Sequence, residues 1–167
     1  DPANGRAVWR ISAGRTLSAG AGADGSVVVV GSDKGDVLAF DTNGTALWAT
    51  KVGSEVISPP KTAEGTVVVF SGDGRVYGLS TKDGSRRWVY QRANPPLIVR
   101  NYAGAVIERG GVFFGTAGGR LLGLDLATGT VGARRVRHMF RTTIRNATVT
   151  IEMTMVGRLE NSPKAVP

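Results

Sequence analysis

Three stretches of the chain repeat one alternation of apolar runs and short polar turns. Val27-Val-Val-Val-Gly-Ser-Asp-Lys-Gly35 leads into Asp36-Val-Leu-Ala-Phe-Asp41. Val67-Val-Val-Phe-Ser-Gly-Asp-Gly74 leads into Arg75-Val-Tyr-Gly-Leu-Ser80, and Val112-Phe-Phe-Gly-Thr-Ala-Gly-Gly119 into Arg120-Leu-Leu-Gly-Leu-Asp125. Two apolar runs around a Gly/Asp/Ser turn predict a β-hairpin. The first run of each pair is apolar at every position, which predicts a strand covered on both faces by neighbouring sheets. A second turn (Thr42–Gly44, Thr81–Gly84, Ala127–Gly129) then opens a further strand, and a fourth is expected before each hairpin, around Leu17–Gly22, Val56–Ala63 and Val99–Glu108. Helical periodicity is absent up to residue 133, and 24 glycines disfavour long helices.

A second periodicity overlies the first. Gly5-Arg-Ala-Val-Trp9, Gly44-Thr-Ala-Leu-Trp48 and Gly84-Ser-Arg-Arg-Trp88 share the form Gly-x-x-x-Trp. Gly129 comes next, but Ala133 stands where the next Trp belongs. The glycines are 39, 40 and 45 residues apart, and all three tryptophans occupy this one slot. Such a period marks a repeat fold whose units cannot bury their apolar faces alone. Four short strands per roughly 40 residues make one blade of a β-propeller. The expected fold is therefore all-β, a partial propeller of about three four-stranded blades, with each Trp a wedge between adjacent blades. A wedge is core packing, and no chemistry follows from it.

Composition limits the rest. The 167 residues suffice for a real core but not for a closed ring, since propellers use about 4–8 blades. Three hairpin units fall short of such a ring, so a fragment or truncated relative of a larger protein is expected, and Asp1-Pro-Ala-Asn-Gly5 runs directly into the repeat without a signal-peptide pattern. Cysteine is absent, which excludes disulfides, thiolate metal sites and cysteine nucleophiles. No stretch approaches the roughly 18 apolar residues of a membrane-spanning helix. The net charge of +8 is uneven: residues 1–133 hold 14 Lys/Arg against 11 Asp/Glu, and residues 134–167 hold 7 against 2. The basicity belongs mostly to the tail, so the repeat region does not read as a nucleic-acid binder.

The repeat Ala23-Asp-Gly-Ser-Val-Val-Val-Val-Gly-Ser…Leu38-Ala-Phe-Asp-Thr-Asn-Gly…Trp48 resembles the PQQ-like repeat. The order of elements resembles that of the BamB family, the lipoprotein subunit of the bacterial β-barrel assembly machinery. Thr50-Lys-Val-Gly-Ser-Glu-Val-Ile-Ser-Pro-Pro60 leading to Gly72-Asp-Gly-Arg-Val-Tyr-Gly-Leu79 carries part of the likeness. Asn94-Pro-Pro-Leu-Ile-Val-Arg-Asn101 carries the rest, being similar to that family's Pro-x-Leu-x-Leu-Arg loop. The likeness covers about residues 1–132, some three blades of an eight-bladed family ring. It implies a scaffold at the periplasmic face of the outer membrane that helps insert β-barrel proteins and contacts the barrel-inserting subunit and unfolded outer-membrane proteins. It also implies a membrane link only through a lipid anchor on a Cys upstream of Asp1. Matched position by position, the partner-binding residues are Leu97, Val99 and Arg100. The two apolar side chains share a face, and Arg100 offers a forked donor to a carboxylate or carbonyl. The competing reading places Leu97 and Val99 in blade packing and Arg100 in solvent. The family's acidic interface loop beyond the next Trp strand has no counterpart after Ala133.

From residue 134 the material changes. Arg134, Arg135, Arg137, Arg141 and Arg145 crowd together, and glycine returns only at Gly157. A reading-frame error or fusion joint at Gly132/Ala133 is one hypothesis, rejected if resequenced DNA shows an intact frame in independent isolates. Val149, Ile151, Met153 and Met155 alternate with polar residues, and Val136, His138, Phe140 and Ile144 sit opposite the arginines. This divergent tail, 134–167, is expected to form an edge hairpin turning near Asn146-Ala147. Its arginines face water in the simplest reading, anionic lipid or nucleic acid in the alternative.

Catalysis, cofactor and metal binding are not expected. His138 is the sole histidine, so neither a His-based triad nor a multi-His metal site can be built. Gly72-Asp-Gly74 and Gly118-Gly119 join two strands and lack the Gly-Lys-Ser/Thr ending of a phosphate loop, so they read as turns. Asp33, Asp36 and Asp73 read as hydrogen-bonding turn residues. Asn146-Ala-Thr148 matches a glycosylation pattern too short to carry weight. Two alternatives stay open: a piece of a quinoprotein dehydrogenase holding pyrroloquinoline quinone and calcium, and a sensor module with an unassigned ligand.

Overall fold

The computed structural model describes residues 3–91, 104–115, 121–131, 138–144 and 147–153, the last two as backbone. Strands β1 (Gly22–Ala23), β2 (Val27–Gly31), β3 (Asp36–Asp41) and β4 (Ala46–Lys51) pair in chain order into the first antiparallel sheet. β5 (Lys61–Ala63), β6 (Thr66–Phe70), β7 (Arg75–Ser80) and β8 (Arg86–Gln91) repeat that order in the second. β9 (Val106–Glu108), β10 (Gly111–Gly115) and β11 (Leu121–Asp125) form the third, three-stranded among the described residues. This is the partial propeller that the repeated hairpins predict, and Ala133 lies outside the described residues.

Turn chemistry sets each register. β5 and β6 are joined by Glu64-Gly65 and β9 and β10 by Arg109-Gly110, all four with positive φ. A two-residue loop with both φ positive matches the right-handed twist of the strands it joins. The corresponding turn of the first sheet is held by Asp24, whose Oδ1 accepts from the amides of Ser26 and Val27.

The innermost strands are shorter than the sequence suggests. Leu17 and Val56 make only isolated bridges, to Ser32 and Ser71, before β1 and β5 begin. Pro59 and Pro60 supply no amide donors between Val56 and β5, so the ladder breaks there. β1 lies beside β5, and β5 beside β9. The inner strands are therefore neighbours, as blades around an axis require.

The core lies between the sheets. Val27, Val29, Val37, Ala39 and Val52 of the first repeat pack with Val56, Val67, Val69, Tyr77 and Leu79 of the second. Val68, Val76 and Trp88 pack in turn with Ala105, Val112, Phe114, Leu124 and Leu126 of the third. Strand β6 thus sends Val67 and Val69 one way and Val68 the other, and all three are fully buried. In β2 the valines alternate between buried and half-buried, because among the described residues the first sheet has a neighbour on one side only. Two-sided burial, expected from the apolar runs of all three hairpins, is thus not found in β2, and Val27–Val30 is as apolar as Val67–Phe70, so the run alone does not mark a strand covered on both faces. Edge-to-face contacts of Phe114 with Phe70 (5.0 Å between centroids) and Tyr90 (6.5 Å) reinforce the second interface.

Residues Val131–Pro167 form a separate compact unit. Its strands β12 (His138–Ile144) and β13 (Ala147–Met153) pair antiparallel, from His138 opposite Met153 to Ile144 opposite Ala147.

Candidate functional site

The Gly-x-x-x-Trp repeat is a fastener between blades. Trp9 Nε1 donates to the carbonyl of Thr42, Trp48 Nε1 to that of Thr81, and Trp88 Nε1 to that of Leu126, each at 2.8 Å. Each indole also lies against the glycine that opens the next motif. A Cβ built on Gly44 would stand 3.1 Å from Trp9 Cδ2, and one on Gly129 would stand 2.5 Å from Trp88 Cδ2. One on Gly84 would overlap the ring of Trp48. These glycines have φ of +87°, +69° and +69°, so the backbone disfavours a side chain at all three, and space excludes one at Gly84 and Gly129 as well.

A β-bulge lies beside Trp48 and another beside Trp88. Ala39 pairs with Trp48 and Phe40 with Ala46, leaving Leu47 as the extra residue, and Arg87 is left over in the same way beside Trp88. The extra residue bends the outer strand and disrupts its ladder, which also blunts an exposed edge.

The acidic turn residues named from the sequence are tied to local structure. Asp36 Oδ2 accepts from Arg15 Nε (3.1 Å) and from the Ser32 hydroxyl (3.2 Å). Asp73 Oδ2 accepts from Arg75 Nη1 at 2.9 Å, and Arg75 Nε donates to Gln91 Oε1. A hydrogen bond with Tyr77 and the charge of Asp73 hold the Arg75 guanidinium even more firmly protonated than usual. The Asp33 amide donates to Thr16 O. Gly72-Asp-Gly74 is the turn between β6 and β7, closed by Gly74 N donating to Ser71 O at 3.0 Å. Among the described residues, no three His, Cys, Asp or Glu side chains gather as metal ligands would.

Three turn aspartates have lowered pKa values. Asp41 is held down first by the Thr45 amide, and Asp83 first by the Ser85 hydroxyl. Burial would raise Asp24, but bonds from the Ser26 hydroxyl and the Ser26 and Val27 amides outweigh it. A carboxylate whose folded pKa lies below its unfolded value stabilises the fold above about pH 4, and that stabilisation fades as pH falls through the folded pKa. Urea midpoints measured from pH 6 downward are expected to drop below about pH 4. The drop should be shallower in an Asp41→Asn/Asp83→Asn double variant, and equal slopes would show that these two carboxylates do not contribute.

The partner-binding residues predicted from sequence, Leu97, Val99 and Arg100, lie outside the described residues, as do Gly118, Gly119 and Asn146. Leu97, Val99 and Arg100 fall in the connection between β8 and β9. Fourteen residues separate Gln91 from Val106, whereas nine separate Lys51 from Lys61 in the preceding blade connection. The five extra residues of the longest repeat interval are therefore placed in the loop-bearing connection. The bulge and the Trp–Gly contact are what sequence reasoning missed. The fixed spacing of Gly to Trp was the available signal, because each glycine is read only against the preceding Trp.

Stacked antiparallel sheets fastened by Trp on Gly define a β-propeller repeat protein of the PQQ-like class. The computationally designed Ika4 protein (19% identity, TM-score 0.58) and a europium-containing methanol dehydrogenase (19%, TM-score 0.60) share this fold. The sequence profile described as "Outer membrane protein assembly factor BamB" matches residues 1–158, and the chain belongs to that family. Among relatives of that name, the Nitrosomonas eutropha protein is 52% identical over 132 residues, covering 79% of this chain and 32% of its own length. The Bordetella pertussis protein is 43% identical over 131 residues, covering 78% and 34%. The crystal structure of BamB from Moraxella catarrhalis superimposes with a TM-score of 0.68 at 30% identity, covering 74% of this chain and 38% of the other. The chain spans about a third of the length of these curated relatives. The profile match also runs past Gly132, beyond the stretch that the sequence motifs carry.

Proposed function

We propose that this chain supplies three blades of a non-enzymatic scaffold that assists the assembly and insertion of β-barrel proteins at the periplasmic face of the bacterial outer membrane. The carrying observation is family membership, with 52% identity to an outer membrane protein assembly factor over 132 residues. Its mechanism is recognition, with loops held on rigid blades presenting a surface to another protein. The absence of cysteine and the single histidine support a role without catalysis. So does the use of Asp24, Asp36, Asp41, Asp73 and Asp83 in local hydrogen bonds.

The partner is the barrel-inserting subunit, docked by Leu97, Val99 and Arg100. Two apolar side chains and one guanidinium, in the connection lengthened by five residues, suit a small apolar anchor with a polar rim. A pull-down with the barrel-inserting subunit tests this. A Leu97→Ala/Arg100→Ala variant with an unchanged melting curve is expected to lose about tenfold or more in capture. Undiminished capture would remove the assigned site.

A further inference from the structure

We propose that Asn43 is a site of spontaneous deamidation, in which the Gly44 nitrogen closes onto the Asn43 side chain and the Trp9 fastener sets the rate. The inference rests on the geometry of this one turn and stands apart from the assembly role.

The chemistry is intramolecular. The Gly44 nitrogen attacks Asn43 Cγ, an N–Cγ bond forms, and the Cγ–Nδ2 bond breaks with release of ammonia. The five-membered imide then takes up one water and opens at either carbonyl, giving aspartate or isoaspartate. Asn followed by Gly is the favourable pair, because glycine has no Cβ to obstruct ring closure. Asn43 stands exposed in the turn between β3 and β4, so water reaches it.

The fold holds the reactants apart. The attacking nitrogen must shed its proton, yet the Gly44 amide donates that proton to Asp41 O at 3.1 Å. Closure also needs rotation about the Asn43 Cα–C bond. Asp41 Oδ1 resists it by accepting from Asn43 N (2.9 Å) and Thr45 N (2.7 Å), one on each side of that bond. Trp9 adds a second clasp: its Nε1 donates to Thr42 O at 2.8 Å, and its ring lies against Gly44. One indole thus grips both neighbours of Asn43. The pair reacts only when the turn opens, and opening means releasing Trp9.

The product works against the same contact. Isoaspartate routes the chain through the former side chain and adds one backbone carbon between residues 43 and 44. Thr42 O and Gly44 then lose the spacing that one rigid indole bridges. Aspartate keeps that spacing and adds only a charge near Asp41. Isoaspartate at position 43 is therefore a one-way release of the Trp9 fastener.

An internal reporter sits in the next repeat. Asp83-Gly84 occupies the same slot under Trp48 and forms the same imide by loss of water. The full chain is incubated near neutral pH in buffer and in concentrated urea, and peptide mapping with isoaspartate methylation follows both pairs. Asn43 should convert about tenfold or more slowly in buffer than in urea. Trp9→Ala should recover most of that difference at Asn43 and leave Asp83 unchanged, while Trp48→Ala should do the reverse. Trp9→Phe, which keeps a ring and removes the N–H, should fall between Trp9→Ala and the unaltered chain. The purified form with isoaspartate at position 43 should have a lower urea midpoint than the Asn43→Asp variant. Equal Asn43 rates in buffer and urea would overturn the proposal. So would acceleration of both pairs together in Trp9→Ala and Trp9→Phe alike, or equal midpoints for the isoaspartate form and Asn43→Asp.

Discussion

Gly84→Val is expected to be among the most damaging single substitutions in the repeat region, at roughly 2–6 kcal/mol. Two costs coincide. At φ +69° a β-branched residue is strained by about 1–3 kcal/mol. Its Cβ would also overlap the Trp48 ring, and overpacking of this kind typically adds about 1–3 kcal/mol. The indole cannot simply retreat, since its N–H is bonded to Thr81 O and its own strand is fixed opposite Ala39. Urea denaturation of Gly84→Val beside Gly25→Val separates the costs, because Gly25 carries the strain without the neighbour. In a Trp48→Ala background the excess over Gly25→Val should vanish. An excess that persists there would mean that glycine is required by the backbone alone.

That experiment concerns a feature only half legible in the sequence. The hairpins were legible because valine-rich runs and Gly/Asp turns act within a few residues: Val27–Val30 and Val67–Phe70 fall within β2 and β6. The blade count was legible because Trp recurs at a fixed distance from Gly. The inner strands were not, because Leu17 and Val56 look like strand residues. Their ladders are cut short by Ser58-Pro-Pro60 and by close approach of neighbouring blades, where a Cβ on Gly22 would overlap the Pro60 carbonyl. That approach depends on the next repeat, which no local window contains. The same holds for the glycines of the Trp motif, whose reason lies about 35 residues away. The assignment of Leu97, Val99 and Arg100 rests on resemblance to a family loop alone, since two apolar residues and an arginine have no pattern that separates docking from packing.

The unequal burial of the tryptophans predicts unequal stability along the repeat. Trp88 lies between Gly78 of its own sheet and Gly129 of the next, while Trp9 faces solvent on one side. Trp88→Ala is therefore expected to cost about 3–5 kcal/mol, the range for a large aromatic removed from a core. Trp9→Ala, with its ring more than a third exposed, should cost less than half of that. Against a total stability of about 5–15 kcal/mol, loss of Trp88 takes a large share. Trp88→Phe divides the effect. It keeps most of the packing but leaves the Leu126 carbonyl without its donor, about 1–3 kcal/mol for a buried group. Because each sheet contacts only its neighbours, the loss should not spread evenly. Amide exchange in β10 and β11 should quicken in Trp88→Ala while β2 and β3 stay protected. The opposite pattern, or uniform loss across all three sheets, would show that the blades unfold as one block and that the indole does not hold a particular pair together.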